Sequence, residues 1–256
     1  MGDRSPFLLE VCVENTDGLI AAQEAGADRV ELCASLLEGG LTPSLGMVEL
    51  ALEAARIPIH VIVRPRGGDF LYSDIEFRAM RADVRALRGL GVAGVVVGCL
   101  TPEGEVDEAR MAALVDDAGS LSVTCHRAFD MAAYPLLAVE ALVRSKVDRV
   151  LTSGGHATAE AGAEMIAQVV QAAGGRLRVI ACGGLDATNI ARLRAACDPD
   201  EMHFAALRQV PSAMTFRNPK IAMGGADRER EYLVTVSDAD AIRATIRAAR
   251  GELAES

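Results

Sequence analysis

Short apolar runs alternate with amphipathic segments along the sequence, and this alternation repeats eight times. The apolar runs begin near positions 7, 28, 58, 94, 121, 148, 177 and 201. Their mean spacing of about 28 residues is close to the roughly 30 residues of one strand–helix unit. Because strands that alternate with helices form a parallel sheet, eight units in about 250 residues predict an α/β fold, a closed (β/α)8 TIM barrel.

An open, doubly wound parallel sheet is the alternative fold for such a pattern. It predicts a glycine-rich dinucleotide-binding turn after an early strand, but ENTDG follows the first apolar run here. We therefore expect one barrel domain over residues 1–256, with a long connection at about 207–236 before the last helix. A further strand at Tyr232–Val236 fits within that connection. Periodic apolar residues predict helices between the strands, among them Pro43–Arg56 with Thr42 as its cap, Asp74–Leu90 ended by Gly91, and Ala159–Ala173.

The composition argues against several classes of function. A net charge of −10 disfavours a nucleic-acid partner, because such a partner needs a basic surface. No apolar stretch reaches the roughly 18 residues of a membrane span, and the first apolar run contains Glu10, unlike a signal peptide. Six cysteines occur without a CxxC pair, as in reduced proteins, so we expect a cytoplasmic location.

Two matched Glu-x-Cys segments lie on the first two predicted strands. Residues i and i+2 of a strand share a face, so Glu10 points with Cys12, and Glu31 points with Cys33. A single glutamate in a strand faces solvent as often as it faces a cavity, but two matched segments on neighbouring strands favour a shared cavity. Active sites of these barrels lie at the carboxyl ends of the strands. We therefore expect both segments to face the barrel mouth.

Basic side chains follow the third and fifth predicted strands. Arg64 and Arg66 end the third strand, and His126 ends the fifth. Charges removed from water need partners, and we expect the arginines to pair with Glu10 and Glu31. If the protein is an enzyme, we expect both glutamates and His126 to act as its acid and base groups. Arg64 would then be a catalytic residue that binds an anionic group of the substrate.

Glycine clusters follow the sixth and seventh predicted strands, in LTSGG and CGGLDATN. Glycine lets the backbone approach an anion closely, and the loops after the last two strands commonly bind phosphate in these barrels. The same glycines also occur in tight turns that bind nothing. The residues expected to bind an anion or substrate are Arg66, Arg127, Ser153, Gly154, Gly183, Gly184 and Arg208.

The chain has only two lysines, and neither lies at the end of a predicted strand. Lys146 precedes the sixth strand, at the bottom of the barrel, and Lys220 lies in the long final connection. A Schiff-base enzyme needs a desolvated lysine in its site. The sequence therefore disfavours that class of barrel enzyme.

Several longer segments resemble the copper homeostasis protein CutC family: EVCVEN, GADRVELCASLLEGGLTPS, RPRGGDFLYSD, CHRAFDM, RVLTSGG and MTFRNPKIAMGG. The resemblance runs from about Leu8 to about Ile246. It implies a cytoplasmic TIM barrel that handles copper and forms a homo-oligomer, a dimer or a tetramer. It also implies that Cys12 and Cys33 are the Cu(I) ligands, which agrees with the preference of Cu(I) for soft thiolates.

This chain departs from the family pattern at Cys125, Cys182 and Ala205, where the family commonly has Phe, Gly and Ser. The last two lie beside the expected anion-binding loops and weaken the case for a tight phosphate site. We also expect Met214–Gly225 to cover the barrel mouth or to form an oligomer contact.

Two functions therefore remain open. The first is a copper-binding homeostasis protein with Cu(I) as its ligand. The second is a lyase, isomerase or hydrolase that acts on a small anionic or sugar-like substrate. The arginines and the RGGDF loop at the expected mouth favour the second, because copper binding alone needs neither of them. The family resemblance favours the first, and copper homeostasis is therefore the expected function, with the enzyme as the alternative.

Overall fold

A computed structural model describes residues 7–218, 220–221 and 228–252. Eight parallel strands form a closed barrel in chain order, and β8 pairs with β1. This confirms the (β/α)8 fold predicted from the repeat. The barrel strands are β1 (Leu8–Val13), β2 (Arg29–Leu32), β3 (Ile59–Ile62), β4 (Gly94–Val97), β5 (Ser122–Cys125), β6 (Arg149–Thr152), β7 (Arg178–Cys182) and β8 (Glu201–Phe204).

Helices follow the strands and surround the barrel. They are α1 (Thr16–Glu24), α2 (Leu45–Ala54), α3 (Asp74–Leu90), α4 (Glu108–Ala118), α5 (Pro135–Arg144), α6 (Ala163–Ala173), α7 (Ile190–Cys197) and α8 (Ala239–Arg250). In the part of the chain that the structure describes, no helix combines the length and apolar character needed to cross a membrane.

The alternation of side chains along each strand separates an apolar layer from a polar interior. On β1, Leu9, Val11 and Val13 are fully buried in the main core, which lies between strands and helices. Each such side chain contributes about 1.5–3 kcal/mol of hydrophobic stabilisation. Glu10 and Cys12 point to the opposite face, into the barrel. The helix-facing layer therefore supplies the apolar core, and chemically active side chains are left for the interior.

Helix α2 begins later than the sequence suggests, at Leu45 rather than Pro43. Its N-cap is Ser44, whose hydroxyl accepts a backbone N–H from the first helical turn, and not Thr42. The Thr42 hydroxyl instead accepts the backbone N–H of Arg64, and the Thr42 N–H donates to the Arg64 carbonyl. Thr42 is thus held beside the end of β3, and the helix begins after it.

Helix α6 is shorter than the predicted Ala159–Ala173 and begins at Ala163. The preceding residues pack closely on the loop after β6. A Cβ on Gly162 would overlap the carbonyl oxygen of Ser153, and one on Gly154 would overlap the carbonyl of Gly162. The helical pattern extends upstream in the sequence, but this close backbone contact prevents it from forming there.

The long final connection contains an antiparallel ribbon of two strands, β9 (Leu207–Pro211) and β10 (Leu233–Ser237). The further strand predicted at Tyr232–Val236 matches β10 within one residue. Its partner β9 was not predicted, because its sequence LRQVP is short, has Arg and Gln at its centre and ends in proline. The segment Met214–Gly225, expected to cover the mouth, lies partly outside the described residues, at 219 and 222–225.

Candidate functional site

The lower interior of the barrel holds a buried network of charges. Arg29 donates to Glu10 and to Glu201, the second contact at 2.5 Å. Glu201 also accepts from Arg149 at 3.0 Å. Arg29, Glu10 and Glu201 are each at most 2% exposed. Buried charges are tolerated only when they are paired, so opposite charges from β1, β2, β6 and β8 fill this part of the barrel.

Glu10 connects the network to a histidine nearer the mouth. Its second oxygen lies 2.7 Å from Nδ1 of His203, because closure of the barrel pairs β8 with β1 and places the two residues in register. Burial alone would raise the pKa of Glu10, but the Arg29 charge and the His203 hydrogen bond hold it well below its usual range. Burial lowers the pKa of His203, but Glu10 and Glu31 outweigh it and the net shift is upward.

The two expected copper ligands lie together above this network. The sulfurs of Cys12 and Cys33 are 3.6 Å apart. Cys12 is in register with Glu31, and its sulfur lies 3.8 Å from Oε1 of Glu31. Cys33 donates to the carbonyl of Val13 at 3.5 Å and has no exposed surface. Although the two cysteines are offset by two residues along paired strands, their side chains converge.

Burial shifts the protonation of this cluster. It raises the pKa of Glu31 to about 7, because desolvation outweighs the opposing charge of His203. The hydrogen bond with Cys33, and then burial, raise the pKa of the Cys12 thiol well above its usual value. Among the described residues, Oε2 of Glu31 has no hydrogen-bond partner. The cluster therefore holds a protonated thiol and a glutamate that titrates near neutral pH.

His203 completes a group of three different donors at the mouth. One donor atom from each of Cys12, Glu31 and His203 lies within 4.8 Å of the other two. All three residues line a cavity of about 270 Å³. His203 was not among the predicted site residues, although residues i and i+2 of a strand share a face and Glu201 precedes it by two. That shared face was the available signal.

His126 presents a fixed neutral donor on another wall of the cavity. Its Nδ1 accepts the backbone N–H of Ala128 at 3.2 Å, so the ring proton of the neutral form lies on Nε2. Burial, and then the charge of Arg64, lower the pKa of His126 to about 3, which keeps the ring neutral. Within the described part of the chain, Nε2 has no partner. The ring of Phe70 packs against it, with centroids 4.9 Å apart.

The arginines of β3 have partners other than those expected from the sequence. Arg64 lines the cavity, but its guanidinium donates to the carbonyls of Glu38, Gly40 and Gly68. Arg66 points away from the cavity and pairs with Glu76 at 2.7 Å. Neither pairs with Glu10 or Glu31, since Arg29 from β2 is closer to Glu10. Arg64 therefore anchors loops around the mouth, and Arg66 anchors the start of α3.

The loop after β6 already binds a carboxylate of the chain itself. Asp130 accepts from the backbone N–H groups of Ser153 and Gly155, at 3.0 and 3.1 Å, and from Oγ1 of Thr152 at 2.6 Å. The N–H of Gly154 donates to Thr152. Ser153 and Gly154 thus lie in the loop where the sequence predicts anion binding. Their backbone N–H groups, however, already donate to Asp130 and Thr152 of the same chain.

The remaining expected residues divide between the cavity and the surface. Gly183, Gly184, Arg127 and Cys182 line the cavity, whereas Arg208 lies exposed on β9, 3.7 Å from Asp238. Cys125 packs in the apolar core between strands and helices. Lys146 lies in the turn before β6, away from the mouth. Among the described residues, those that line the cavity include neither lysine.

The fold and the site together define a (β/α)8 barrel with a buried thiol–carboxylate–imidazole cluster at the carboxyl ends of its strands. The sequence profile of the CutC family matches residues 7–207. A CutC family protein from Mesorhizobium japonicum is 59% identical over 243 residues, which cover 95% of this chain and 94% of that protein. The chain belongs to the CutC family, as its motifs indicated.

Other similar proteins extend this comparison. A copper homeostasis protein cutC homolog from Mus musculus is 41% identical, across 94% of this chain and 89% of that protein. A solved CutC structure from Streptococcus agalactiae has a TM-score of 0.73 and 30% identity, covering 77% of this chain and 98% of that one. Phosphoribosylanthranilate isomerase from Thermotoga maritima, at 12% identity and a TM-score of 0.55, covering 96% of this chain and 99% of that one, shares the barrel fold alone.

Proposed function

We propose that this protein binds Cu(I) through Cys12 and Cys33 and acts in copper homeostasis in the cytoplasm. The observation that carries the proposal is the pair of buried thiols, with sulfurs 3.6 Å apart, at the edge of a cavity. Thiolates are the ligands that select Cu(I). The copper homeostasis description of the mouse relative agrees with this function.

The spacing of the sulfurs suits a bent arrangement around one ion. With metal–sulfur bonds of about 2.3 Å, sulfurs 3.6 Å apart subtend an angle of about 100° at the metal. Such an angle leaves room for a further ligand on the cavity side, because Cys12 lines the cavity and Cys33 lies behind it. Copper is here the cargo of the protein, and it enters from the cavity.

Competition with a chromophoric Cu(I) chelator in anaerobic, thiol-free buffer tests this proposal. We expect Cys12→Ser and Cys33→Ser each to weaken Cu(I) binding by about tenfold or more. The matched control is Cys197→Ser, because the buried Cys197 thiol donates to the Leu193 carbonyl and a hydroxyl can do the same. Unchanged affinity in both cavity variants contradicts the proposal.

A second candidate function is acid–base catalysis on a small anionic or sugar-like substrate. It is favoured by two groups on the same cavity, Glu31 with its pKa raised to about 7 and His126 as a neutral donor. A general base works best when its pKa lies near the working pH. Arg127 lines the same cavity, where its guanidinium pairs with Asp130 at 2.7 Å, and an anionic substrate would share that charge.

Thermal-shift measurements with small sugar phosphates and carboxylates, followed by NMR turnover assays on those that bind, test this candidate. We expect a binding compound to be converted by the native chain and not by Glu31→Gln. If no compound stabilises the protein and native mass spectrometry shows no copurified small molecule, the enzyme candidate is rejected.

We also propose that the protein forms a homo-oligomer, a dimer or a tetramer. The ribbon and the described part of the segment between its two strands expose apolar side chains, including Leu207, Phe216, Leu233 and Val234. An isolated two-stranded ribbon is only marginally stable in water, so contact with a second copy would stabilise it. Light scattering after gel filtration tests the assembly, and we expect Val234→Glu to shift it toward the monomer.

A further inference from the structure

The mouth cluster contains three chemically different donors. Cys12 offers a thiol, Glu31 a carboxylate and His203 an imidazole, and their donor atoms lie within 4.8 Å of one another. A set made of sulfur, oxygen and nitrogen is not the all-sulfur set that Cu(I) prefers. It matches the donors of zinc-class divalent ions, which bind cysteine, histidine and carboxylate together.

His203 is oriented as a metal ligand should be. Glu10 holds its Nδ1 at 2.7 Å, which fixes the ring and leaves Nε2 as the atom available to an ion. Metal-ligating histidines almost always donate their other ring nitrogen to a carboxylate or carbonyl. Glu10 in turn accepts a hydrogen bond from Arg29. Two consecutive contacts, from Arg29 to Glu10 and from Glu10 to His203, therefore fix the position of the ring.

Glu31 has an oxygen that the protein leaves unused. The side chain is buried, with 4% of the residue exposed, and in the described part of the chain its Oε2 has no hydrogen-bond partner. A buried carboxylate oxygen without a partner carries a desolvation cost of about 1–3 kcal/mol or more. A cation beside Glu31 would remove that cost.

We propose that Cys12, Glu31 and His203 form a site for a zinc-class divalent cation, distinct from the Cys12–Cys33 copper pair. The site goes beyond the proposed copper function, because two of its three ligands take no part in that pair. A dication balances the negative charges of a thiolate and a carboxylate together, which a monovalent ion does not. Cys33 is not part of this set, because it does not line the cavity and its sulfur is not grouped with the other three donors.

The site needs only small movements to close around an ion. With zinc bonds of about 2.0 Å to nitrogen or oxygen and about 2.3 Å to sulfur, tetrahedral donors lie roughly 3.3–3.5 Å apart. The donors here therefore approach one another by roughly 1 Å, which side-chain rotation supplies. Because all three residues line the cavity, the fourth coordination position faces it, as in zinc sites that bind water or substrate.

Titration of the chelator-treated, reduced protein with Co²⁺, followed by Zn²⁺ competition, tests the site. Cobalt reports a bound thiolate through its sulfur-to-metal charge-transfer band. We expect one equivalent to bind with that band, and we expect Glu31→Gln and His203→Gln each to weaken binding by about tenfold or more. Far-UV circular dichroism checks that each variant is folded, and Zn²⁺-induced thermal stabilisation provides a second readout.

Cys33→Ser separates this proposal from the copper proposal. We expect it to weaken Cu(I) binding while the cobalt band persists, whereas His203→Gln weakens Co²⁺ binding more than it weakens Cu(I) binding. The divalent site is refuted if Co²⁺ binds without a thiolate band, or if folded Glu31→Gln and His203→Gln variants both keep native affinity. If the wild-type protein fails to bind Cu(I), the copper proposal is rejected, but the cobalt results still test the divalent site.

Discussion

Replacing Glu31 by Gln should make the protein more stable at high pH. The pKa of Glu31 rises from its ordinary 4.5 to about 7 in the folded chain, because burial disfavours the charged form. Between these pH values the folded chain binds more protons than the unfolded chain, so stability falls as pH rises. The pKa of Glu31 differs by about 2.5 between the folded and the unfolded chain, and each pH unit is worth about 1.36 kcal/mol. The free energy of unfolding is therefore lower by about 3 kcal/mol above pH 7.

Glutamine has nearly the same shape and never acquires the charge. We expect wild type and Glu31→Gln to have similar stability near pH 4 and to diverge through pH 5–7. Above that range the variant is more stable by about 3 kcal/mol, or roughly 6–12 °C in Tm for a chain of this size.

Urea unfolding at a series of pH values, in metal-free reducing buffer, measures this difference. The matched control is Glu49→Gln, an exposed glutamate on α2, for which we expect a difference below about 0.5 kcal/mol at every pH. If the curves of Glu31→Gln and wild type run parallel from pH 4 to pH 9, Glu31 does not carry a destabilising buried charge, contrary to this prediction.

Three further changes test the scaffold, each by urea unfolding at neutral pH. Arg29→Met leaves Glu10 without its buried partner and should cost about 3–5 kcal/mol; a smaller loss than that of Arg66→Met, at a half-buried arginine outside the network, contradicts the network. Gly162→Ala forces a methyl group onto Ser153 and should cost about 1–3 kcal/mol. Asp130→Asn weakens the carboxylate contacts of the β6 loop and should cost about 1.5–3 kcal/mol; equal stability shows that these contacts contribute nothing.

Much of the fold followed from local patterns. The boundaries predicted for α3, Asp74–Leu90, are those of the structure, where Gly91 ends the helix with a positive φ of 82°. The structure adds a capping box of Ser73 and Glu76 that fixes its start. The start of α6 was wrong by four residues, because a contact between backbones in two loops limits it. Such a contact leaves no periodic signal in the sequence.

The site was predicted less completely than the fold. The period-2 pattern identified the inward faces that carry Cys12 and Glu31, but it gave no information on which charges meet. Arg29, the arginine that Glu10 contacts, was not among the predicted site residues. The pattern identifies candidate side chains on each strand separately. Which of these side chains contact one another depends on the register between neighbouring strands.

The sequence by itself determined the number of strand–helix units and which residues of each strand face the interior, because both depend on local periodicity. Only the tertiary structure decided that His203 lies beside Glu10, 193 positions away, and that Asp130 occupies the loop after β6. The reason is physical: closure of the barrel and the register between its strands bring distant residues together. No local property of the chain encodes that register.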